Sequence, residues 1–437
     1  MKTRIIPVLI VLFCFPIGGL QSARAATIIV TNTNDSGPGS LRQALVDAND
    51  RDTINFDPVL VAQTITLTSG QLYIRRDVII TGPGAAFLTV DGNAHIQSGV
   101  FYVKPGKTAT ISGLTIKNGS SGIYNDDGAL TLTACTVSGN SGSGIANVGT
   151  HSGATMTVSN CTVSDNAGSG IANAGIGDSA TLTVTDSIIS GNSGSGIGNS
   201  AALAGGSAAV TVTDSTISSN SGSGIANTFG AVTITACTVS GNSGAWGGGI
   251  FNNGSGQGTF SLLIVTNSTI SGNSAALGGG GIYNVTASGG GTTVAINNST
   301  ISENSAGQGG GIYNDYAGGG LTVAVGSTIL KAGTLGENIF NLGGTVTSLG
   351  YNLSSDDGGG FLTGAGDQIN TDPLLGPLQD NGGTTFTHAL LPGSPAINAG
   401  DPSFTPPPSY DQRGPGFRRV RNGRIDTGSY EVQRRLH

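Results

Sequence analysis

The chain has 437 residues, 75 of them Gly, with 10% charged and 5% aromatic residues and a formal net charge of −7. So much Gly excludes a helix-rich globular domain, because Gly costs roughly 0.5–1 kcal/mol relative to Ala inside a regular element. Gly has no three-residue period, which excludes collagen, and the negative charge gives no support to nucleic acid as a partner.

In chain order, residues 1–25 carry the pattern of a signal peptide: Lys2 and Arg4, an apolar stretch over 5–20, then Ala23-Arg24-Ala25 as a cleavage site. Pro7 and Pro16 interrupt the stretch, which also falls short of the ~20 residues that a span needs. The expected product is a secreted or cell-surface protein that begins near Ala26 and does not span the membrane. Residues 26–105 form an expected N-terminal cap with the first irregular coils. Residues 27–30 read as a strand. Ser40 is placed to cap a helix over about 41–49, whose apolar face is Leu41, Ala44, Leu45 and Ala48. Laid across the end of a solenoid, it would cover an edge that otherwise invites aggregation. Strands are expected near 64–68, 71–74, 77–81 and 88–90.

Residues 106–345 are a repeat. T-[VI]-S-x-N, first ending at Asn140, returns ending at Asn166, Asn192, Asn220, Asn242, Asn273 and Asn304. G-I-x-N begins at Gly122, then at Gly144, Gly170, Gly196, Gly224, Gly249, Gly281 and Gly311, with spacings of 22 to 32 residues. That period has no helical pattern and is too short for a propeller blade. It fits one turn of an all-β, right-handed, single-stranded parallel β-helix. Strands such as 182–185 alternate apolar and Thr positions, and parallel crossovers favour right-handed winding. One coil cannot bury a core alone, whereas stacked coils can. Coil-length variation, as at 203–208 and 254–258, belongs in loops. The repeated Asn is expected to adopt left-handed turn geometry and to bond its equivalents above and below; polar ligand binding is the competing reading. Residues 346–437 change composition. They hold Pro406-Pro407-Pro408 and seven of the 18 Lys and Arg, which marks a second, C-terminal module.

The coils resemble the β-helix repeats of the pectate-lyase-like class, and the G-G-G-I-Y-N coils are similar to repeats of chlamydial polymorphic outer-membrane proteins. Residues 31–44 (TNTNDSGPGSLRQA) resemble the opening of bacterial secreted β-helix proteins. Residues 370–378 (NTDPLLGPL), 381–384 (NGGT), 391–398 (LPGSPAIN), 411–414 (DQRG) and 426–431 (DTGSYE) look like a choice-of-anchor Q domain. These resemblances imply an exported bacterial protein, a family defined by architecture rather than by activity. After Glu431 only Val-Gln-Arg-Arg-Leu-His follows, so release or non-covalent attachment is the expectation.

Charge is too sparse to mark an active site. A lyase of acidic polysaccharides needs a base and cations against the substrate carboxylate, yet no Arg occurs between Arg76 and Arg413. Asp186 and Asp214 share a repeat position in neighbouring coils, and such a pair could serve a hydrolase; two solvated turn residues are the plainer reading. Asp126-Asp127 is a candidate Ca²⁺ loop against a plain polar turn, and no other cofactor is indicated. His95, His151 and His388 stand alone. Cys135 and Cys161 occupy neighbouring coils, within reach of a disulfide, though packed thiols are favoured.

The x of G-I-x-N should point outward. It is Tyr124, then Ala146, Ala172, Gly198 and Ala226, then Phe251, Tyr283, Tyr313 and, in a degenerate copy, Phe340. The last four form a candidate binding stripe for sugar rings or a partner surface, unless a loop or the C-terminal module covers them. The favoured function is a non-catalytic adhesin-like or polysaccharide-binding β-helix, with a polysaccharide lyase or glycoside hydrolase as the alternative.

Overall fold

The structure is a computed structural model and describes residues 25–94, 99–202, 205–421 and 423–433. Residues 1–24 of the expected signal peptide, His95 and residues 203–204 lie outside them. Strands stack in parallel into a broad sheet of 22 strands and a narrow sheet of 12, one narrow-sheet strand per coil. The register follows the repeat: Ile123 pairs with Ile145, Ile145 with Ile171, and Ile171 with Ile197. That inward Ile file continues through Ile225, Ile250, Ile282, Ile312 and Ile339, and no member is more than 1% exposed. Burying one such side chain contributes roughly 1.5–3 kcal/mol, and each sits on its twin in the next coil.

The N-terminal cap follows the expectation. A helix spans Leu41–Asp47, and the Ser40 hydroxyl accepts the backbone N–H of Gln43 at 3.1 Å. Leu41, Ala44, Leu45 and Ala48 are buried against the first coils. Among the described residues, no helix is long and apolar enough to cross a membrane.

The repeated Asn residues form a ladder. The Asn192 Oδ1 accepts both the backbone N–H and the Nδ2 of Asn166, at 3.1 and 2.9 Å, and the Asn192 Nδ2 donates to Asn220 Oδ1 at 2.9 Å. The expected left-handed geometry belongs instead to the preceding residue, as at Gly139 (φ 64), Asp165 (φ 56) and Gly191 (φ 66). That residue turns the chain so that the next side chain enters the interior. A second ladder runs through the Asn of G-I-x-N, from Asn125 to Asn147, Asn173 and Asn199. Beside these lies a file of small residues. The backbone N–H of Cys135 points at the Cys161 sulfur at 3.4 Å, and that of Cys161 at the Ser187 hydroxyl at 3.1 Å. Cys135, Cys161 and Cys237 are buried free thiols.

The coils continue past the expected boundary at 345, with strands Thr345–Gly350 and Leu353–Ser354 still in the two sheets. The chain then folds back along the narrow sheet and covers its outward Thr file. Thr238 donates to the Phe386 carbonyl at 2.6 Å, Thr269 to Gln412 Oε1 at 2.6 Å, and Ser429 to Thr300 at 3.1 Å. Behind this seam, Arg413 pairs with Asp411 at 2.6 Å, with its guanidinium between the rings of Phe417 and Tyr430. Arg419 is fully buried beside Glu431 and Asp426. Burial, then the negative Asp426, pushes the Glu431 carboxyl up to about 9. Glu431 is therefore protonated in the folded chain and ionised in the unfolded one across neutral pH. Its contribution to stability is complete below its ordinary value of 4.5 and is lost as pH rises toward about 9. Glu431→Gln should flatten that decline, raising the melting temperature of the C-terminal segment at alkaline pH. Thermal scans across this range check it.

Candidate functional site

The outward x positions form one unbroken file across eleven coils of the broad sheet. Tyr73 pairs with Tyr102, and Tyr102 with Tyr124, ahead of the Ala146, Ala172, Gly198 and Ala226 stretch. Phe251, Tyr283, Tyr313 and Phe340 follow in register. The file is thus aromatic at both ends and small in the middle. At ~4.8 Å per coil it runs for roughly 48 Å.

The C-terminal ladder is where the sequence places it, but it is not an open stripe. Tyr283 and Tyr313 are each only 4% exposed. The roof is the strand pair Ser243–Trp246 and Ser274–Gly278, not the C-terminal module. The Trp246 ring lies 4.6 Å from Tyr283 and 6.4 Å from Tyr313, and the Gly278 backbone is pressed onto the Tyr313 ring. Phe251 and Phe340 are half-buried. Rings in register also consume one another's faces: Phe251 and Tyr283 stack at 5.8 Å with an 11° tilt. Strand alternation sets the direction of a side chain; it does not reveal what a neighbouring segment lays over it.

The N-terminal ladder is open. Tyr73 is 38% exposed, while Tyr102 and Tyr124 are half-buried. Tyr102 stacks on Tyr124 at 5.4 Å and meets Tyr73 at 5.7 Å. Its hydroxyl donates to Asp126 Oδ2. Burial, and then this bond, raise the phenol above its ordinary range, so it stays a proton donor. The Lys104 ammonium sits 4.6 Å from the Tyr102 ring centre and 5.0 Å from that of Tyr73, where the Arg75 guanidinium also stands at 5.0 Å. Next to it a cavity of about 570 Å³ is lined by Arg42, Tyr73, Arg75 and Arg76 and by cap-helix residues. Tyr73 and Tyr102 lie in the irregular coils, where G-I-x-N is replaced by L-Y-I and F-Y-V. An aromatic flanked by apolar residues was the only sequence signal there.

The other candidates fall elsewhere. Asp186 and Asp214 sit on the turn between the two sheets, in a file of left-handed residues that includes Asn160 (φ 50), Asp186 (φ 48), Asp214 (φ 49) and Asn267 (φ 53). They are near enough to interact: burial, then the Asp186 charge, raises Asp214. Their residue type has a backbone reason, since Asn and Asp tolerate this geometry. Asp127 accepts the backbone N–H and hydroxyl of Thr150 at 2.7 and 2.6 Å and the backbone N–H of His151. Burial opposes its charge, but these bonds hold the carboxyl at about 2. With Asp126 engaged by Tyr102, the Asp126-Asp127 pair works as a turn clamp. Among the described residues, no three His, Cys, Asp or Glu converge on a metal position. His388 Nε2 lies 2.8 Å from the Ser271 hydroxyl and its Nδ1 lies 2.7 Å from the Gly376 carbonyl. That is a nucleophile–base geometry, but both residues are 1% exposed beneath the C-terminal segment. Burial lowers the His388 pKa, and the neutral ring pins the segment.

Residues 98–262 match the family model described as "Right handed beta helix region". The fold is a right-handed parallel β-helix. Pectate lyase Pel9A has a similar β-helix, at 16% identity over 93% of this chain and 96% of that one, with a TM-score of 0.51. The Azotobacter vinelandii mannuronan C-5 epimerase AlgE6 A-module matches at 14% identity, over 74% of this chain and 97% of that one, with a TM-score of 0.54. At such identities the likeness is one of fold. No curated protein matches the sequence.

Proposed function

We propose that this β-helix is a polysaccharide-acting protein, and that the polymer lies lengthwise on the outward file with its engaged end on the N-terminal tyrosine ladder. The observation that carries the reading is the convergence of Tyr73, Tyr102 and Tyr124 with Lys104, Arg75 and Asp126 beside an open cavity. Phenol hydroxyls, cations and a carboxylate in one partly exposed row suit a polyhydroxylated chain. The catalytic form, a lyase or hydrolase, draws support from the fold shared with a pectate lyase and a mannuronan epimerase. Asp126 and the Asp186–Asp214 pair are its candidate acid–base groups. The binding-only form, an adhesin-like surface protein, draws support from the sparse charge elsewhere on the file. Export through the N-terminal signal and a choice-of-anchor Q role for the C-terminal segment complete the proposal.

The test incubates the mature chain with plant, algal and bacterial polysaccharides, with and without Ca²⁺, and scores cleavage and retention together. Tyr102→Ala removes a stacked ring, a contact of about 0.5–1.5 kcal/mol, and the partner of Asp126. It should weaken retention about threefold to tenfold, whereas Tyr283→Ala should not act through the ligand. Retention indifferent to Tyr102 would sink the placement. Cleavage that survives at Tyr102→Ala but is lost at Asp186→Asn would move the chemistry to the turn file.

A further inference from the structure

Positive charge along the outward file is confined to one end. Among the described residues, Arg42 is held by Asp35 at 2.7 Å, Lys107 by Asp50 and Lys117 by Asp91. Arg75, Arg76 and Lys104 form no ion pair there, and Arg75 and Lys104 stand over the first two rings of the ladder. Beyond Tyr124 the file offers Ala146, Ala172, Gly198 and Ala226, and no Arg occurs before Arg413. A guanidinium at the rim of a cavity and an ammonium one coil further on, neither with a carboxylate of its own, are placed to receive one. The small floor beyond them has no group to meet a second.

We infer that the N-terminal end of the file is a subsite for a single carboxylate-bearing sugar, and that the positions beyond it accept sugars without reading their charge. This rests on the polysaccharide reading and deepens it. The ring contacts hold Lys104 and Arg75 in place without neutralising them, so a uronate carboxylate exchanges solvent for two charge-assisted bonds while its hydroxyls face Tyr102, Tyr124 and Asp126. Recognition at one subsite means that adding uronates to an oligomer adds no further charge dependence.

The test is titration calorimetry of the mature chain with tetramers of galacturonate and of mannuronate, each beside its full methyl ester, and with a neutral glucan tetramer, at low and high salt. One of the two acids should bind at least tenfold more tightly than its own ester at low salt, and the gap should shrink with salt. Lys104→Gln and Arg75→Gln should each remove most of the gap between acid and ester. A hexamer should show the same gap as the tetramer. Equal affinity for acid and ester, or a gap that grows with each uronate, overturns the inference and leaves the polysaccharide reading standing. Binding of the glucan alone does the same. Failure of all these glycans to bind overturns both.

Discussion

Replacing Asn192 by Leu should destabilise the β-helix by about 4 kcal/mol, because it strips a buried hydrogen-bond hub rather than a surface polar group. The Asn192 Oδ1 accepts two donors from Asn166, and its Nδ2 donates to the Val163 and Ser190 carbonyls as well as to Asn220. Leu fills similar space but leaves the Asn166 backbone N–H without an acceptor, the Asn166 Nδ2 with only the Val137 carbonyl, and the Val163 and Ser190 carbonyls without the Asn192 amide; each buried group left unpaired costs about 1–3 kcal/mol. The effect should be local, since each coil of a solenoid contacts only its neighbours. Hydrogen exchange should show lost protection in the coils on either side of Asn192 and little change near the cap helix. Asn160→Gly is the matched control: Asn160 has φ 50, a geometry Gly adopts freely, so stability should hold. A uniform loss of protection along the molecule, or no loss at Asn192→Leu, would contradict the ladder as a chain of nearest-neighbour bonds.

The same ladder explains why the fold is legible in the sequence. A parallel stack in register brings identical positions together, so T-[VI]-S-x-N and G-I-x-N print the contact map as a repeat. Ser40 and the Leu41, Ala44, Leu45, Ala48 face gave the cap helix for the same local reason. Legibility ends where contacts cross coils or join distant segments. Tyr283 and Tyr313 point as the alternation predicts, yet Trp246, from the preceding coil, seals them. Equivalent aromatics one coil apart are also close enough to stack on each other, which turns a row of ring faces into a row of edges. Tyr73 and Tyr102 carry no repeat signature, because L-Y-I and F-Y-V stand where the other coils have G-I-x-N. The C-terminal motifs resemble a domain signature, but their residues reach partners more than a hundred positions away. Gln412, for example, contacts Thr269, Thr238 and the Cys237 carbonyl, and no spacing rule anticipates that.

Those long-range contacts make Arg413→Met the second large effect. Asp411 is 1% exposed and receives Arg413 through Nε and Nη2, plus the backbone N–H groups of Arg413 and Glu431. Met leaves that carboxylate buried with two backbone donors and no direct ion-pair partner. Removing one member of a buried pair costs about 3–5 kcal/mol. Arg413 also donates to the Glu431 carbonyl at 2.6 Å and is sandwiched between Phe417 and Tyr430 at 3.9 and 3.8 Å, contacts that Met replaces only in part. The C-terminal segment should release while the coils remain folded, because the coils are held by their own ladders. Limited proteolysis should then cut the 402–420 stretch at protease levels that leave the parent chain intact, with the repeat region surviving as a stable fragment. Adding Asp411→Asn to Arg413→Met removes the stranded charge and should recover part of the loss, so the double variant is milder than the sum of the single ones. Strict additivity would mean that the pair is not coupled. Loss of the whole β-helix at Arg413→Met would mean that the C-terminal segment is needed for the coils themselves, because its seam over Thr238, Thr269 and Thr300 closes a sheet face they cannot leave open.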